Sequence, residues 1–435
     1  MLLEATCLDE RLAEDHPART IWAAAQRLDL TRFYEAIKAR GETPGRPAID
    51  PRLLVALWLL AATEGIGRGR EVARLCQRDD AYRWLCGSVN VNYHTLNDFR
   101  VEHGAALDDL MSQILATLVF HGVVTVQRLS QDGLRVRASA GSASFRREKS
   151  LREQTEKMRR HIEALKQQGE GEGEGDVSVR QRSARARAAR DRLARLERAL
   201  EELPKVKQAK AKQKNKPSKQ REPRVSTTDP EARVMKMPDG GFRPAYNFQF
   251  AVDPACRAIV GVDVTNQGND AGLSEPMRAQ VQQRTGQSVR EHLMDGSYVT
   301  LKAIDEAAGQ GVTIYAPLPK PRRKPPEAPE ASESPESAES APPSVDPDPD
   351  PHPHPGEPKP GDSEAVAEWR ARMAGEEGQR IYVQRASTSE TVNADLRTWR
   401  GMERLTVRGL DKVRCVGLWS ALASNLMHFS AVLLL

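Results

Sequence analysis

The chain has 435 residues, with 65 Lys and Arg against 60 Asp and Glu for a net charge of +5. That length predicts two or three domains and a substantial buried core. The five cysteines (Cys7, Cys76, Cys86, Cys256 and Cys415) form no C-x-x-C pair, which argues against a zinc site or a disulfide framework and fits a reducing cytoplasm.

The opening segment MLLEATCLDERLAEDHPART has early acids and no apolar run, so it is not read as a secretory signal. Residues from about Pro17 to Val123 read as helical. AIDPRLLVALWLLAATEG starts with Asp50 as N-cap and Pro51 at the first helical position, and Gly65 follows its end. GREVARLCQRDDAYRWLCG predicts one short helix closed by Gly87. NYHTLNDFRVEHGAALDDLMSQILATLVFHG predicts a helix opening at Thr95, with Asp98 as the acidic partner of a capping box. Short helices joined by tight turns suit a helix-turn-helix DNA-binding module and equally an ordinary bundle; periodicity does not separate them.

VVTVQRLSQDGLRVRAS, rich in valine, predicts a strand containing Asp132. From Lys149 to Leu203 spaced apolar residues predict two antiparallel helices joined by the flexible tract QQGEGEGEGD. KVKQAKAKQKNKPSKQREPR follows, almost without apolar residues, and reads as a disordered basic arm: a phosphate-backbone contact or a solvated linker. YNFQFAVDPACRAIVGVDV predicts a hairpin, NDAGLSEPMRAQVQQRTG a helix, SVREHLMD a strand, VTLKAIDEAAGQG a helix and VTIYAPL a strand. Residues from Pro321 to Glu364 hold Val345 as their single large aliphatic side chain among Pro, Glu, Ser and Asp, and predict disorder. AVAEWRARMAGEEGQRIYVQRASTSETVNADLRTWRG returns to helix. The apolar end LWSALASNLMHFSAVLLL is short for a membrane span and is interrupted by Asn425 and His428, so it predicts a buried helix. The basic and acidic blocks lie apart, which points to a polyanionic partner, nucleic acid first.

With the insertions removed, the order is three strands, then helix, strand, helix, strand, helix. This predicts an α/β architecture: an RNase H-like catalytic domain with a mixed sheet, preceded by an all-α DNA-binding domain and interrupted by a helical and basic insertion. The expected bounds are 1–123 for the helical domain; 124–148, 225–320 and 365–435 for the catalytic domain; 149–224 for the helical hairpin and basic arm; and 321–364 for the disordered insertion.

Candidate chemistry rests on acids. Asp295 ends the strand-like run of EHLMDGSYVT, with Gly296 and Ser297 leaving open access; taken alone it reads as readily as a cap for a helix starting near Val299. Asp132 precedes Gly133, the pattern of a strand residue or of a D-G turn. Glu390 and Arg397 are seven apart and share one face of a helix. In an RNase H-like order the first and fourth strands are neighbours, which would bring Asp132 to Asp295, with a later helix carrying Glu390 across them. Three oxygen donors select a hard ion, Mg²⁺ or Mn²⁺, and a pair of such ions can clamp both oxygens of phosphodiester cleavage.

GRPAIDPRLLVALWLLA, NYHTLNDFR, DGLRVRASAG, PAYNFQFAVD, LMDGSY, YVQRASTSETVNADLR and VRGLDKVR together resemble the DDE transposases of bacterial insertion sequences, in the branch numbered eleven eighty-two. The resemblance covers most of the chain outside the two low-complexity insertions. It implies Asp132, Asp295 and Glu390 as the catalytic, metal-holding triad. It further implies that Tyr298, Tyr382, Arg385 and Arg397 contact DNA phosphates, that a homodimer or larger assembly holds the terminal inverted repeats and target DNA, and that the protein works on DNA in the cytoplasm with no membrane partner. Two departures stand out: Arg397 occupies a position where lysine is usual, and glycine does not directly precede the tyrosine in DGSY. The rival readings are a catalytically inactive or repurposed DNA-binding relative and an RNase H-like nuclease.

Overall fold

The computed structural model describes residues 7–37, 48–87, 89–169, 176–211, 222–319 and 356–435. Its first part is helical: α1 (Leu8–Arg11), α2 (Pro17–Arg27), α3 (Thr31–Glu35), α4 (Pro51–Thr63), α5 (Gly69–Arg78), α6 (Asp80–Cys86), α7 (Tyr93–Glu102) and α8 (Gly104–Phe120). Helix α4 begins as its sequence demands. Asp50 accepts from the Arg52 amide, Pro51 takes the first position, and every residue from Leu54 to Ala61 is buried. Two expected single helices are each split. Asp79 breaks the first and caps α6 by accepting from the Ala81 and Tyr82 amides. Asn92, three residues before Thr95, caps α7 through the His94 amide, and the backbone leaves the helix at His103 before α8.

The sheet is built from β1 (Arg128–Arg137), β4 (Arg233–Lys236), β5 (Phe242–Val252), β6 (Ile259–Thr265), β7 (Glu291–Met294) and β8 (Thr313–Tyr315); β2 (Phe145–Arg146) and β3 (Val225–Ser226) form a separate ribbon. Strands β1, β5 and β6 are the expected antiparallel meander. Strand β7 lies parallel to β1 on its other side, and β8 lies parallel to β7. The short β4 shares the outer edge of β5 with β6 and was not legible in the sequence. The strand order β6-β5-β1-β7-β8 is that of an RNase H-like sheet.

Between β2 and β3 run α9 (Glu148–Gly169) and α10 (Asp176–Ala211). They are antiparallel: Glu148 pairs with Lys207, and Arg159 with Glu197. Leu151, Leu196, Ala199, Leu203, Val206 and Val225 form their own small core. Packing of Val206 beside Leu203 carries α10 on through Lys205 to Ala211, where the sequence led to an expectation of a disordered arm; residues 212–221 of that arm lie outside the described residues.

The later helices are α11 (Ser274–Thr285), α12 (Leu301–Gly309), α13 (Glu364–Ala374), α14 (Glu376–Arg385), α15 (Thr391–Thr398), α16 (Leu410–His428) and α17 (Ser430–Leu433). Most of the expected disordered insertion, 320–355, lies outside the described residues, but the chain before α13 is ordered. There Asp362 and Arg370 form a buried ion pair at 2.7 Å, and Ser363 caps α13 through the Val366 amide. Beyond Phe429 the apolar C-terminal stretch forms α17, where no residue is buried, but up to His428 it is α16, as expected a buried helix. It sits between the helical region and β6. Its Trp419 donates to the Arg100 carbonyl, and Asn425 bonds both the amide and the carbonyl of Ile259. One continuous core therefore joins the N-terminal helices to the sheet. No helix among the described residues is long and apolar enough to cross a membrane.

Candidate active site

The site is set by the parity of β1. Its register with β5 puts Gln131 and Gly133 opposite Ala251 and Gln249, so these residues share one face of the sheet; Ser130, Asp132 and Leu134 take the other. Parallel pairing of β1 with β7 matches Ser130 to Leu293 and Gln131 to Met294. The next step of that register is Asp132 beside Asp295. Asp295 itself keeps an extended backbone, with φ −71° and ψ 158°, so its side chain continues the alternation onto the face that Asp132 takes. Neighbouring strands run about 4.8 Å apart, and Asp132 and Asp295 each follow the last paired positions of these adjacent strands. The D-G pair at 132 and 133 is thus mid-strand rather than a hairpin turn.

Helices α14 and α15 lie along that face of β1. Arg128 donates to Gln384 at 2.7 Å, Ser130 bonds Ser389 at 2.9 Å, and Asn393 donates to Asp132 Oδ2 at 2.9 Å. Two residues of strand advance about 6.6 Å, and four to five residues of helix advance about the same. The strand and the helix therefore stay in step over the whole contact. A π-helical turn, Ala386–Glu390, joins α14 to α15 and absorbs the five-residue step between Gln384 and Ser389. The Thr391 hydroxyl, donating to the Ala386 carbonyl five residues back, braces that turn. Such turns recur at functional sites because they re-aim side chains within an otherwise regular helix. Here the turn stacks Arg385 and Glu390, five apart, on one side.

Arg385 lies between two acids. Its Nη2 donates to Glu390 Oε1, and its Nη1 stands 3.2 Å from Asp132 Oδ1 without a hydrogen bond of its own. Burial would lower its pKa, but Asp132, Tyr382 and Glu390 together hold it above the usual value. Burial lifts the Asp132 carboxyl above its ordinary range, against the opposing pull of Arg385 and the Asn393 amide. Tyr382 is half-buried beneath the Arg385 guanidinium, whose carbon lies 5.8 Å from the ring centre. Arg397 is half-buried on α15, two turns beyond Glu390. Tyr298 is 1% exposed with its hydroxyl on Gln249; in this conformation it supports the turn from inside and offers no surface to a phosphate.

Among the described residues, no three His, Cys, Asp or Glu side chains are arranged as a ready metal cage. The fit to a hard divalent ion rests on chemistry: Asp132, Asp295 and Glu390 offer oxygen alone, and a cationic guanidinium already stands between the first and the last.

One acid escaped the sequence reading. Asp270 is buried on the reverse face, where Oδ1 accepts from Asn247 at 2.6 Å and Gln249 at 2.9 Å, and Oδ2 accepts from Ser297 at 3.0 Å. The signal was present in NFQF of β5, where amides alternate with Phe248 and Phe250: two polar residues on one face of a strand buried on both sides imply a polar partner above them.

Residues 6–102 match the family model described as Transposase domain (DUF772), and residues 358–429 match the one described as Transposase DDE domain. The second match contains Tyr382, Arg385, Glu390 and Arg397; Asp132 and Asp295 fall outside both. No curated protein and no solved structure matches the chain. Both matched models describe transposase domains, the second of the DDE kind. Together with the sheet order, the two matches support a DDE transposase of an insertion sequence.

Proposed function

We propose that the protein binds the terminal inverted repeats of its own insertion sequence, of the branch numbered eleven eighty-two. It cuts the phosphodiester at each element end and joins the freed 3′-hydroxyl to target DNA, with Asp132, Asp295 and Glu390 as its catalytic carboxylates. The observation that carries this reading is the β1–β7 register, one step from pairing Asp132 with Asp295, together with the tie of Glu390 to Asp132 through Arg385.

Mg²⁺ or Mn²⁺, held by those three carboxylates, would supply the positive charge that activates the attacking oxygen and steadies the leaving one. The chain's own residues do the rest. Asn393 fixes one Asp132 oxygen. Arg385 would turn to the scissile phosphate, and Arg397 would meet the flanking backbone. The exposed arginines of α10, Arg185 and Arg192 on one side and Arg187 and Arg190 on the other, give the hairpin a basic surface suited to duplex phosphates. Two element ends must be held together, which calls for a dimer or larger assembly working on cytoplasmic DNA.

The test is cleavage of end-sequence DNA by Asp132→Asn, Asp295→Asn and Glu390→Gln. Each abolishes cutting and joining and keeps DNA binding. Cutting that persists in Asp295→Asn means the site is misplaced. Cutting by the native protein that ignores the end sequence, and is never followed by joining, makes the protein a nuclease instead.

A further inference from the structure

Asp295 needs something to aim it. It stands one residue past β7, still extended, and the chain then turns through Gly296–Tyr298, a single 3₁₀ turn. Within that turn the side chains part. Asp295 faces the α14 side of the sheet. Ser297 and Tyr298 reach the opposite side, where Ser297 donates to Asp270 and Tyr298 to Gln249. Gln249 also accepts from Gln131 at 2.9 Å and itself donates to Asp270, so both anchors of the turn end in one buried network.

Asp270 is the hub of that network. It is 6% exposed, and no ion pair to it is found among the described residues. Three side-chain donors hold it instead, from β5 and from the turn itself. Its place depends on Gly133: a Cβ there would stand 3.0 Å from Asp270 Oδ1. The residue directly after Asp132 is therefore small where Asp270 approaches the sheet. A buried carboxylate accepting three donors on one side of the sheet thus fixes the backbone that carries a carboxylate on the other.

We propose that Asp270 is a positioning residue for Asp295, acting through the Ser297 hydroxyl. This rests on the reading of Asp295 as a metal-holding carboxylate. The Ser297 hydroxyl has one proton and two acids in reach, Asp270 Oδ2 at 3.0 Å and Asp295 Oδ2 at 3.4 Å. While Asp270 holds that proton, Asp295 Oδ2 remains available to other partners, its Oδ1 accepting from the Gly296 amide at 2.7 Å, and the turn stays pinned. Outer partners of this kind change metal affinity by roughly tenfold to a hundredfold when removed.

The experiment titrates Mn²⁺ alone into the full-length protein and reads free Mn²⁺ by electron paramagnetic resonance, without DNA and without turnover. Asp270→Asn is expected to raise the half-saturating Mn²⁺ concentration at least tenfold while circular dichroism and melting temperature show a folded protein. Ser297→Ala is expected to weaken binding in the same direction, and Asp270→Asn with Ser297→Ala to be no weaker than Asp270→Asn alone, since both act through one hydroxyl. A folded Asp270→Asn protein with native Mn²⁺ affinity overturns the proposal. If Asp270→Asn does not fold, Ser297→Ala decides: native affinity overturns the proposal and weakened affinity upholds it. Asp295→Asn is the control for the parent reading. If it leaves Mn²⁺ binding and DNA cleavage intact, that reading falls and this one with it; if it abolishes both while Asp270→Asn changes neither, this one alone falls.

Discussion

Arg385→Gln isolates the electrostatics of the site. The guanidinium is 13% exposed, against 22% for Asp132 and 46% for Glu390. A charge-assisted contact to a largely buried acid is worth about 1.5–3 kcal/mol. The Arg385 N–H is not aimed at Asp132, so the lower end applies. The Glu390 pair is nearly half in solvent and contributes about 0.5–1 kcal/mol. The substitution should therefore cost about 2 kcal/mol of unfolding free energy at pH 7, read from urea denaturation. It also removes a cation that competes for the same two carboxylates. Saturating Mn²⁺ should then recover most of the loss, and the variant should bind Mn²⁺ more tightly than the native protein when no DNA is present. Lowering the pH should narrow the deficit too, because a buried Asp132 without its cation takes up a proton more readily, and the protonated form needs no partner. A deficit that is the same at every Mn²⁺ concentration, with unchanged Mn²⁺ affinity, would refute the placing of a cation site between these acids.

Three further substitutions test the frame around the site. Asn425→Ala strips the buried Ile259 amide and carbonyl of the side chain that satisfies both, and should lower stability by about 2–4 kcal/mol in the same urea assay. Gly401→Ala forces a side chain onto φ +68° and brings its Cβ to 2.4 Å from the Gly65 carbonyl oxygen, so a loss above about 1 kcal/mol is expected, with a lowered melting temperature. Glu202 is pushed upward by its burial, yet its bonds to Lys205 and Arg233 outweigh that and hold its carboxyl below the ordinary carboxylate range. Its folded value is depressed, so its contribution is present above about pH 4.5 and lost as the pH falls through the depressed value. Glu202→Gln should therefore lower stability at pH 7 and differ progressively less from the native protein in acid; an equal difference at both pH values would show that the ion pair is not responsible.

Much of the frame could be read from local chemistry. Asp50 and Pro51 announce the start of α4, and alternation in β5 and β6 gives the meander, because caps and periodicity are decided within a few residues. The same local logic overran its reach where a polar residue competed with the helix, as at Asp79 and Asn92, and where a distant apolar partner extended one, as at Val206.

The sequence by itself determined which carboxylates end or interrupt strands and which arginines accompany them, since residue identity and spacing are local properties. Tertiary structure alone decided that Asp132 and Asp295 share a face, because this follows from the pairing of strands more than 150 residues apart. It alone decided that a π-helical turn stacks Arg385 on Glu390, since one extra residue in a turn is selected by the step of the strand it packs against. And it alone drew Asp270, outside every recognisable motif, beneath the turn that holds Asp295: a buried charge is satisfied by whatever donors the fold brings to it, wherever they stand in the chain.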